Sequence, residues 1–209
     1  MLISFNDISS VLRAKSIKIT GAFHIGAHDC EELDFYNKLG LKNDQIVWID
    51  AIEAKIAAAK KRGIPNVYHA TITDKDDQYT TFNISNNGQS SSVLNFNTHA
   101  IEYPGIVYVD TILTKSVTID TFFERNAIDG TKYNFWNFDI QGAELMALKG
   151  AVKHIPHAAA IYLEVNVREL YSGCGLIGDI DAFLSEYGFT RVLTSMVRQG
   201  WGDALYIKK

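Results

Sequence analysis

Cysteine and proline are scarce in this chain of 209 residues, which contains two cysteines and three prolines. The two cysteines, Cys30 and Cys174, form no short-spaced motif. A disulfide framework and a zinc knuckle are therefore disfavoured, and a reducing compartment is expected. The low proline content argues against long disordered linkers.

Long apolar runs and a strong charge of either sign are also absent. No stretch is long enough for a membrane-spanning helix, and residues 1–20 are too polar for a signal peptide. The formal net charge is −4 and the pI is about 5.8, so neither nucleic acid nor a membrane surface is indicated as a partner. We expect a soluble, cytoplasmic protein. The length and the 47% apolar content fit one domain over residues 1–209, which could be part of a longer chain.

Strand-like and helix-like segments alternate along most of the sequence. Strands are predicted at residues 17–25, 45–49, 66–71, 80–84, 117–119, 136–138, 159–165, 189–194 and 204–208. Helices are predicted at residues 31–39, 52–62, 143–149 and 179–187, with a further helix capped by Asp120. This alternation predicts an α/β fold with a parallel sheet covered on both faces. The last two strands have no helix between them and should pair as a hairpin, which leaves one strand antiparallel.

Residues 136–145 carry the most informative pattern. An apolar strand ends at Asp139, Gln141 and Gly142 follow, and a helical pattern begins at Ala143. Ligands of open α/β sheets bind at the carboxyl ends of the strands, and a carboxylate there is costly unless it has a partner or a function. Asp139 is therefore a candidate for binding or catalysis.

The first and second strands end in residues that suit a nucleoside ligand. Gly26 lets the backbone approach a ligand closely, but the three glycines of a dinucleotide fingerprint are missing, which disfavours NAD and FAD. Asp50 lies 24 positions after Gly26, the offset at which an acidic residue binds a ribose diol. A tight turn and a helix cap would explain the same two residues.

S-adenosylmethionine is a nucleoside of this kind that lacks pyrophosphate. Its carboxylate could contact the amides of Ala27 and His28, and its ammonium could contact Glu31 or Glu32. Its adenine could pack on a wall formed by Ile49, Ala51 and Thr71.

A second acidic strand end stands next to Asp139 in the predicted sheet. Glu164 and Asn166 share one face of their strand, because side chains alternate along a strand. With Gln141 they could hold an acceptor hydroxyl, and a carboxylate near another carboxylate becomes a better base for its proton. Two alternatives remain open: the acids cap a helix and bind backbone amides, or Asp139, Glu164 and Asn166 bind a divalent cation.

Three further features have both a functional and a structural interpretation. The polar loop 89–92 could line an acceptor pocket or be a solvated connection, and His99 could lie near a substrate loop. Trp201 close to Asp203 suits sugar binding, although packing of Trp201 in the core would explain it equally well.

Residues 17–208 resemble the FkbM-type family of S-adenosylmethionine-dependent methyltransferases. The resemblance is carried by residues 25–28, 139–145, 148–151, 164–166 and 202–206. It implies the class I methyltransferase fold, a Rossmann-like α/β fold with a seven-stranded, mostly parallel sheet in the order 3-2-1-4-5-7-6 and an antiparallel last strand. It also implies O-methylation, in many members of sugars or of natural-product hydroxyls. The chain departs from the family at Asp50, where glutamate is more frequent, and around Asp29 and Cys30, where methyltransferases often have a glycine.

The leading hypothesis is an O-methyltransferase that methylates a hydroxyl of a sugar, a glycan or another small acceptor and releases S-adenosylhomocysteine. The expected catalytic residues are Asp139, Glu164, Gln141 and Asn166. The expected cofactor-binding residues are Gly26, Ala27, His28, Glu32, Asp50, Ala51, Thr71 and Asp139. No metal is favoured. The alternatives are a metal-assisted O-methyltransferase of a natural product and a non-catalytic binding module; the acceptor and the oligomeric state stay open.

Overall fold

The computed structural model describes residues 1–209 as two sheets and seven α-helices. The strands are β1 (Ala22–Ile25), β2 (Ile46–Asp50), β3 (Val67–His69), β4 (Thr71–Ile72), β5 (Tyr79–Ser85), β6 (Tyr108–Val117), β7 (Phe135–Phe138), β8 (Ala160–Asn166), β9 (Phe189–Met196) and β10 (Trp201–Lys208). The helices are α1 (Phe5–Ala14), α2 (Leu33–Lys38), α3 (Glu53–Lys61), α4 (His99–Glu102), α5 (Ile119–Arg125), α6 (Glu144–Lys149) and α7 (Ile177–Glu186).

The larger sheet has the strand order β3-β2-β1-β7-β8-β10-β9. Strand β10 pairs antiparallel with both of its neighbours, and the other neighbouring strands pair parallel. When the seven strands of this sheet are numbered by themselves along the chain, the order becomes 3-2-1-4-5-7-6. The predicted order and the predicted antiparallel last strand are both confirmed.

Helices cover both faces of this sheet, as predicted. Successive strand residues point to opposite faces, so that Phe23 joins one core and Ala22 the other. The core around Phe23 includes residues of α5, α6 and α7, and the core around Ala22 includes residues of α1, α2 and α3. All four residues of β1 and of β7 are buried, which is typical of strands covered on both sides. None of the helices combines the length and the apolar character needed to cross a bilayer.

A three-stranded sheet in the order β4-β6-β5 occupies the middle of the chain. Its longest strand, β6, is absent from the sequence prediction, because half of its residues are exposed and only one is buried. The predicted Asp120 cap is wrong: Thr118 caps α5 by accepting the amide of Thr121 at 3.1 Å. The carboxylate of Asp120 instead accepts the amide of Lys153 at 3.0 Å.

Candidate active site

A cavity of about 470 Å³ opens at the carboxyl ends of the parallel strands. Strands β1, β2, β7 and β8 each end in a residue or loop that lines it. Because β10 runs antiparallel, its first residues reach the same edge, where Asp203 pairs with Glu164 and Trp201 with Asn166. Eight of the predicted site residues line this cavity: Gly26, His28, Glu32, Asp50, Ala51, Asp139, Gln141 and Glu164.

Glycine is required at position 26 by two features of the backbone. Gly26 has a φ of +87°, and a Cβ there would lie 1.8 Å from the carbonyl oxygen of Asp139. The loop that follows has a tight path, because His28 and Cys30 also have positive φ angles, of 41° and 55°. Such conformations are uncommon for residues other than glycine and gather at ligand sites.

Asp50 connects this loop to the start of the next helix. Its Oδ2 accepts the amide of His28 at 2.7 Å, and its Oδ1 accepts the amide of Ile52 at 2.7 Å. Burial raises the pKa of Asp50, and these two amides oppose the rise. A carboxylate has about four acceptor positions, so the side chain retains capacity for the hydroxyls of a ligand.

Asp139 and Glu164 are joined by one amide group. The Nε2 of Gln141 donates to Oδ1 of Asp139 at 2.7 Å and to Oε2 of Glu164 at 2.8 Å. The hydroxyl of Tyr171 donates to Oε1 of Gln141 at 2.5 Å, which fixes the orientation of the amide. Ser92 Oγ donates a hydrogen bond to the backbone carbonyl of Gln141 at 2.9 Å. The backbone of Gln141 has a φ of +56°. We call the two acids Asp139 and Glu164, together with the Gln141 amide that bridges them, the amide-bridged pair.

The amide-bridged pair lies in a strongly acidic environment. Desolvation by the surrounding protein groups is the main reason that the pKa of Asp139 rises to about 6, and the charge of Asp203 adds to the rise. The pKa of Glu164 is raised well above its usual range, first by burial and then by the charge of Asp139. Six carboxyl groups line the cavity and no lysine or arginine does. Its acids are Glu31, Glu32, Asp50, Asp139, Glu164 and Asp203.

Three predicted site residues do not line the cavity. Ala27 is buried, and the hydroxyl of Thr71 bonds to that of Thr114 at 3.3 Å within the three-stranded sheet. Asn166 is fully buried on the same strand face as Glu164, and neither polar atom of its side chain has a partner. Buried amides are rarely left unpaired, and an ordered water would satisfy such a side chain.

The acids of the cavity do not form a compact metal cluster. One group of three side chains has its ligand atoms within 4.8 Å of one another, and it consists of His28, Asp29 and Glu31 at the rim. Its members are already paired with protein groups: His28 Nδ1 lies 2.8 Å from Glu31 Oε1, and Lys55 Nζ lies 2.8 Å from Asp29 Oδ2. Asp139 and Glu164 both accept the amide of Gln141, so a metal bound between these two carboxylates would have to displace that amide.

Several residues of the site were missed or left open by sequence reasoning. Glu144 is buried and accepts the amide of Ile140 at 2.9 Å, although the sequence indicates only a helical position there. Tyr171 follows no recognisable motif. The polar loop does line the cavity through Gln89, Ser90 and Ser91, and so do His99, Trp201 and Asp203. Asp203 accepts the backbone amide of Leu2 and the hydroxyl of Tyr162.

Comparison with known proteins gives one family and a set of similar structures. The profile of the methyltransferase FkbM domain matches residues 24–191. No curated protein matches the chain. Among solved structures, the CurJ carbon methyltransferase is 12% identical with a TM-score of 0.50, over 97% of this chain and 53% of that one. This likeness is one of fold.

Two other similar structures have lower TM-scores. The magnesium protoporphyrin IX methyltransferase ChlM from Synechocystis PCC 6803, with bound S-adenosylmethionine, is 10% identical over 98% of this chain and 78% of that one, with a TM-score of 0.46. A ribosomal protein L11 methylase from Lactobacillus delbrueckii subsp. bulgaricus is 11% identical over 98% and 78%, with a TM-score of 0.46.

Proposed function

The chain belongs to the methyltransferase FkbM domain family, and from this premise we propose that it transfers the methyl group of S-adenosylmethionine to a hydroxyl of a sugar or glycan. The family and the fold make the chain a methyltransferase with S-adenosylmethionine as its donor. The acceptor, the atom that is methylated and the residue roles belong to the proposal, as does a single catalytic domain over residues 1–209.

The donor would bind where β1 and β2 end. Gly26 allows the backbone to approach it closely, and the loop from Ala27 to His28 would hold its amino-acid end. Asp50 would accept the ribose hydroxyls with the lone pairs that His28 and Ile52 leave free. Ala51 lines the cavity next to Asp50 and would pack against the adenine, while Glu32 would face the ammonium.

The amide-bridged pair is the observation that carries the proposal. Glu164 is buried and Asp139 is open to the cavity, and their two carboxyl groups share one amide donor and line the same cavity as Gly26 and Asp50. The acceptor oxygen would attack the methyl carbon, so that the C–O bond forms as the C–S bond breaks and S-adenosylhomocysteine leaves. The proton of the hydroxyl would pass to the carboxylate of Asp139, with Glu164 and Gln141 holding the acceptor. Positioning supplies much of the rate in such a transfer.

A sugar is favoured over other hydroxyl acceptors by the composition of the cavity wall. Trp201, Tyr103 and Tyr171 line the cavity together with the acids. Aromatic faces pack on the C–H groups of a sugar ring, and carboxylates and amides bind its hydroxyls. The serines of the polar loop add further hydroxyl groups to this wall.

Substitution of Asp139 tests the catalytic assignment. In Asp139→Asn the side chain keeps its shape but loses the ability to take a proton, so turnover should fall by roughly 10²–10⁴-fold. The dissociation constant of S-adenosylhomocysteine, measured by calorimetry, should change less than about twofold, since the proposal assigns little donor affinity to this carboxylate.

The control is Asp110→Asn, which changes an exposed aspartate of β6. It should leave both turnover and donor affinity unchanged. Normal turnover of Asp139→Asn on an accepted sugar would show that Asp139 is not the base.

A further inference from the structure

Four rings form a continuous wall on one side of the cavity. His99 lies 5.1 Å from Tyr103 and 5.3 Å from Tyr171, measured between ring centroids. The indole Nε1 of Trp201 donates to the hydroxyl of Tyr103 at 2.8 Å. All four residues line the cavity, and we call them the aromatic wall.

His99 is the one member of the aromatic wall whose polar atoms have no partner. The residue is 4% exposed, and its Nδ1 is buried without a hydrogen-bond partner. Phe96 stacks on the ring at 4.2 Å with an interplanar angle of 13°, which fixes the plane of the imidazole. The backbone amide of His99 is held by the carbonyl of Leu170 at 3.1 Å.

The other histidines show that this state is unusual for the chain. His24 lies 2.9 Å from the hydroxyl of Tyr36, His154 lies 2.7 Å from Asp120, and His28 is paired with Glu31. His69 contacts the carbonyl of Ala51, and His157 is exposed. His99 is therefore the only buried histidine without a partner for its ring. Because a buried unpaired polar group is costly, its presence in a cavity wall points to a ligand that supplies the partner.

The chemistry of that ligand follows from the state of the imidazole. Burial lowers the pKa of His99, and no carboxylate pairs with the ring to oppose this, so the imidazole is neutral. A neutral imidazole has one donor nitrogen and one acceptor nitrogen. A hydroxyl group can satisfy either of them, because it both donates and accepts.

The charge of the cavity limits which charged groups an acceptor can carry. Six carboxyl groups and no lysine or arginine line the cavity. The nearby Lys55 is already paired with Asp29. An acceptor that carried a phosphate or a carboxylate would meet acidic groups at short range, where the low dielectric strengthens the repulsion. The amino terminus of Met1 is the one other cationic group at the cavity apart from histidine, and it already lies 4.0 Å from the carboxylate of Glu32.

Building on the proposed function, we propose that the aromatic wall is the acceptor subsite, that His99 hydrogen-bonds a sugar hydroxyl there, and that the subsite excludes sugars carrying phosphate or carboxylate groups. His99 is thereby a specificity-determining residue. The role of Asp139 as proton acceptor is independent of it.

The test measures binding and does not depend on turnover. Protein saturated with S-adenosylhomocysteine is mixed with methyl glycosides of common hexoses and 6-deoxyhexoses, and with their 6-phosphates and uronates. Binding is read by saturation-transfer NMR and the dissociation constant by titration. At least one neutral glycoside should bind, and its phosphate or uronate counterpart should bind at least about tenfold more weakly.

The variant His99→Phe keeps the ring that stacks on Phe96 and removes the nitrogen atoms. The substitution should raise the dissociation constant of the neutral glycoside by about three- to tenfold, which corresponds to the loss of one hydrogen bond. Donor affinity should not change. The exposed His157→Phe is the matched control and should bind both ligands like the unmodified protein.

Equal binding of a glycoside to His99→Phe, or equal binding of its anionic counterpart, would overturn the inference. The proposed function would then still stand if that glycoside is methylated. If S-adenosylhomocysteine binds but no glycoside does, the sugar acceptor itself is wrong and the inference fails with it.

Discussion

A single glutamine side chain holds two acids together at the centre of the site. Because Tyr171 takes the carbonyl oxygen of Gln141, the amide nitrogen is directed at Asp139 and Glu164. Two carboxylates that share one donor repel each other when both are ionised, which disfavours the doubly ionised state. They therefore titrate as a unit, and their apparent pKa values belong to the pair.

The dependence of activity on pH should reveal this unit. The pKa of Asp139 is raised to about 6, chiefly by desolvation from the surrounding protein groups. A base works only when ionised, so kcat/KM should fall as the pH drops through about 6 and level off above it. The measurement is a pH–rate profile between about 5 and 8, with thermal unfolding followed at each pH to verify that the protein stays folded. A profile that is flat over this range would contradict a carboxyl base in the pair.

Gly26 offers a test of close packing between the two loops of the site. Gly26 and Gly40 have nearly equal φ angles, of +87° and +89°. They differ in their surroundings: a Cβ on Gly26 would clash with the carbonyl oxygen of Asp139, whereas a Cβ on Gly40 would have no atom within 4 Å. Alanine at either position should cost about 1–2 kcal/mol for the left-handed backbone. Only Gly26→Ala should lose substantially more stability and abolish binding of S-adenosylhomocysteine.

Thermal unfolding and calorimetric titration of the two variants provide the comparison. Gly40→Ala serves as the control, because alanine there has the same unfavourable backbone conformation but no steric clash. Similar melting temperatures and similar donor affinities for the two variants would show that the loop can move aside, and that the contact with Asp139 is not needed.

At the scale of elements, the passage from β7 to α6 combines a strand end, a turn and a helix start in a few residues. Gln141 and Gly142 both have positive φ angles, of 56° and 93°, so the turn is tight. Glu144 in the first turn of α6 reaches back to the amide of Ile140 at 2.9 Å. Burial raises the pKa of Glu144 to about 8, with repulsion from Asp139 adding to it.

The substitution Glu144→Gln should therefore stabilise the protein increasingly as the pH rises. Glutamate has its ordinary pKa of 4.5 in the unfolded chain and is held protonated in the folded one, so the free energy of unfolding decreases between about pH 4.5 and 8. Each pH unit contributes up to about 1.4 kcal/mol. The glutamine keeps the oxygen that accepts the Ile140 amide and has no charge to bury.

Urea unfolding of both proteins at several pH values measures this difference. The control is Glu186→Gln at the end of α7, where the side chain is exposed. A difference between Glu144→Gln and the unmodified protein that stays constant from pH 5 to 8 would mean that Glu144 is ionised in the folded state.

Elements were predictable where burial makes the sequence uniform. The strands of the large sheet are short apolar runs, and their alternation with helices predicts a parallel sheet. The order of the strands came from the family resemblance. The predicted first strand, residues 17–25, begins later, at Ala22, since the amide of Thr20 is held by Asn134 instead. Half of the residues of strand β6 are exposed, and the strand contains no such apolar run. Helix α1 is absent from the prediction, although Ser4 accepts the amide of Asp7 as a helix cap.

The difference between buried strands and other segments also explains which site residues could be predicted from the sequence. Asp50, Asp139 and Glu164 end parallel strands, and the ends of parallel strands meet at one edge of a sheet. Tyr171 and His99 reach the cavity from segments outside the large sheet, and their positions depend on tertiary packing. Thr71 was assigned to the adenine wall, but it lies in β4 and pairs with β6, a strand that the sequence does not reveal.

At the scale of the molecule, the sheet order brings all the proposed chemistry to one cavity. Strands β1 and β7 are neighbours, so the loops after Gly26 and Asp139 touch, and the antiparallel β10 delivers Trp201 and Asp203 to the same edge. Apart from histidine and the amino terminus of Met1, the charged groups of the cavity are six carboxyl groups. Such a site is suited to a sulfonium donor and an acceptor without negative charge.

The most direct test of the account is transfer of a labelled methyl group. The protein is incubated with S-adenosylmethionine that carries ¹³C in its methyl group and with a panel of neutral sugars and glycosides, and products are read by mass and by NMR of the methyl carbon. The expected result is an O-methyl signal on a sugar, with one molecule of S-adenosylhomocysteine formed for each methyl group transferred. The variant Asp139→Asn should give no such signal. A label that appears on nitrogen or carbon, or on no sugar at all while S-adenosylhomocysteine still binds, would contradict the account.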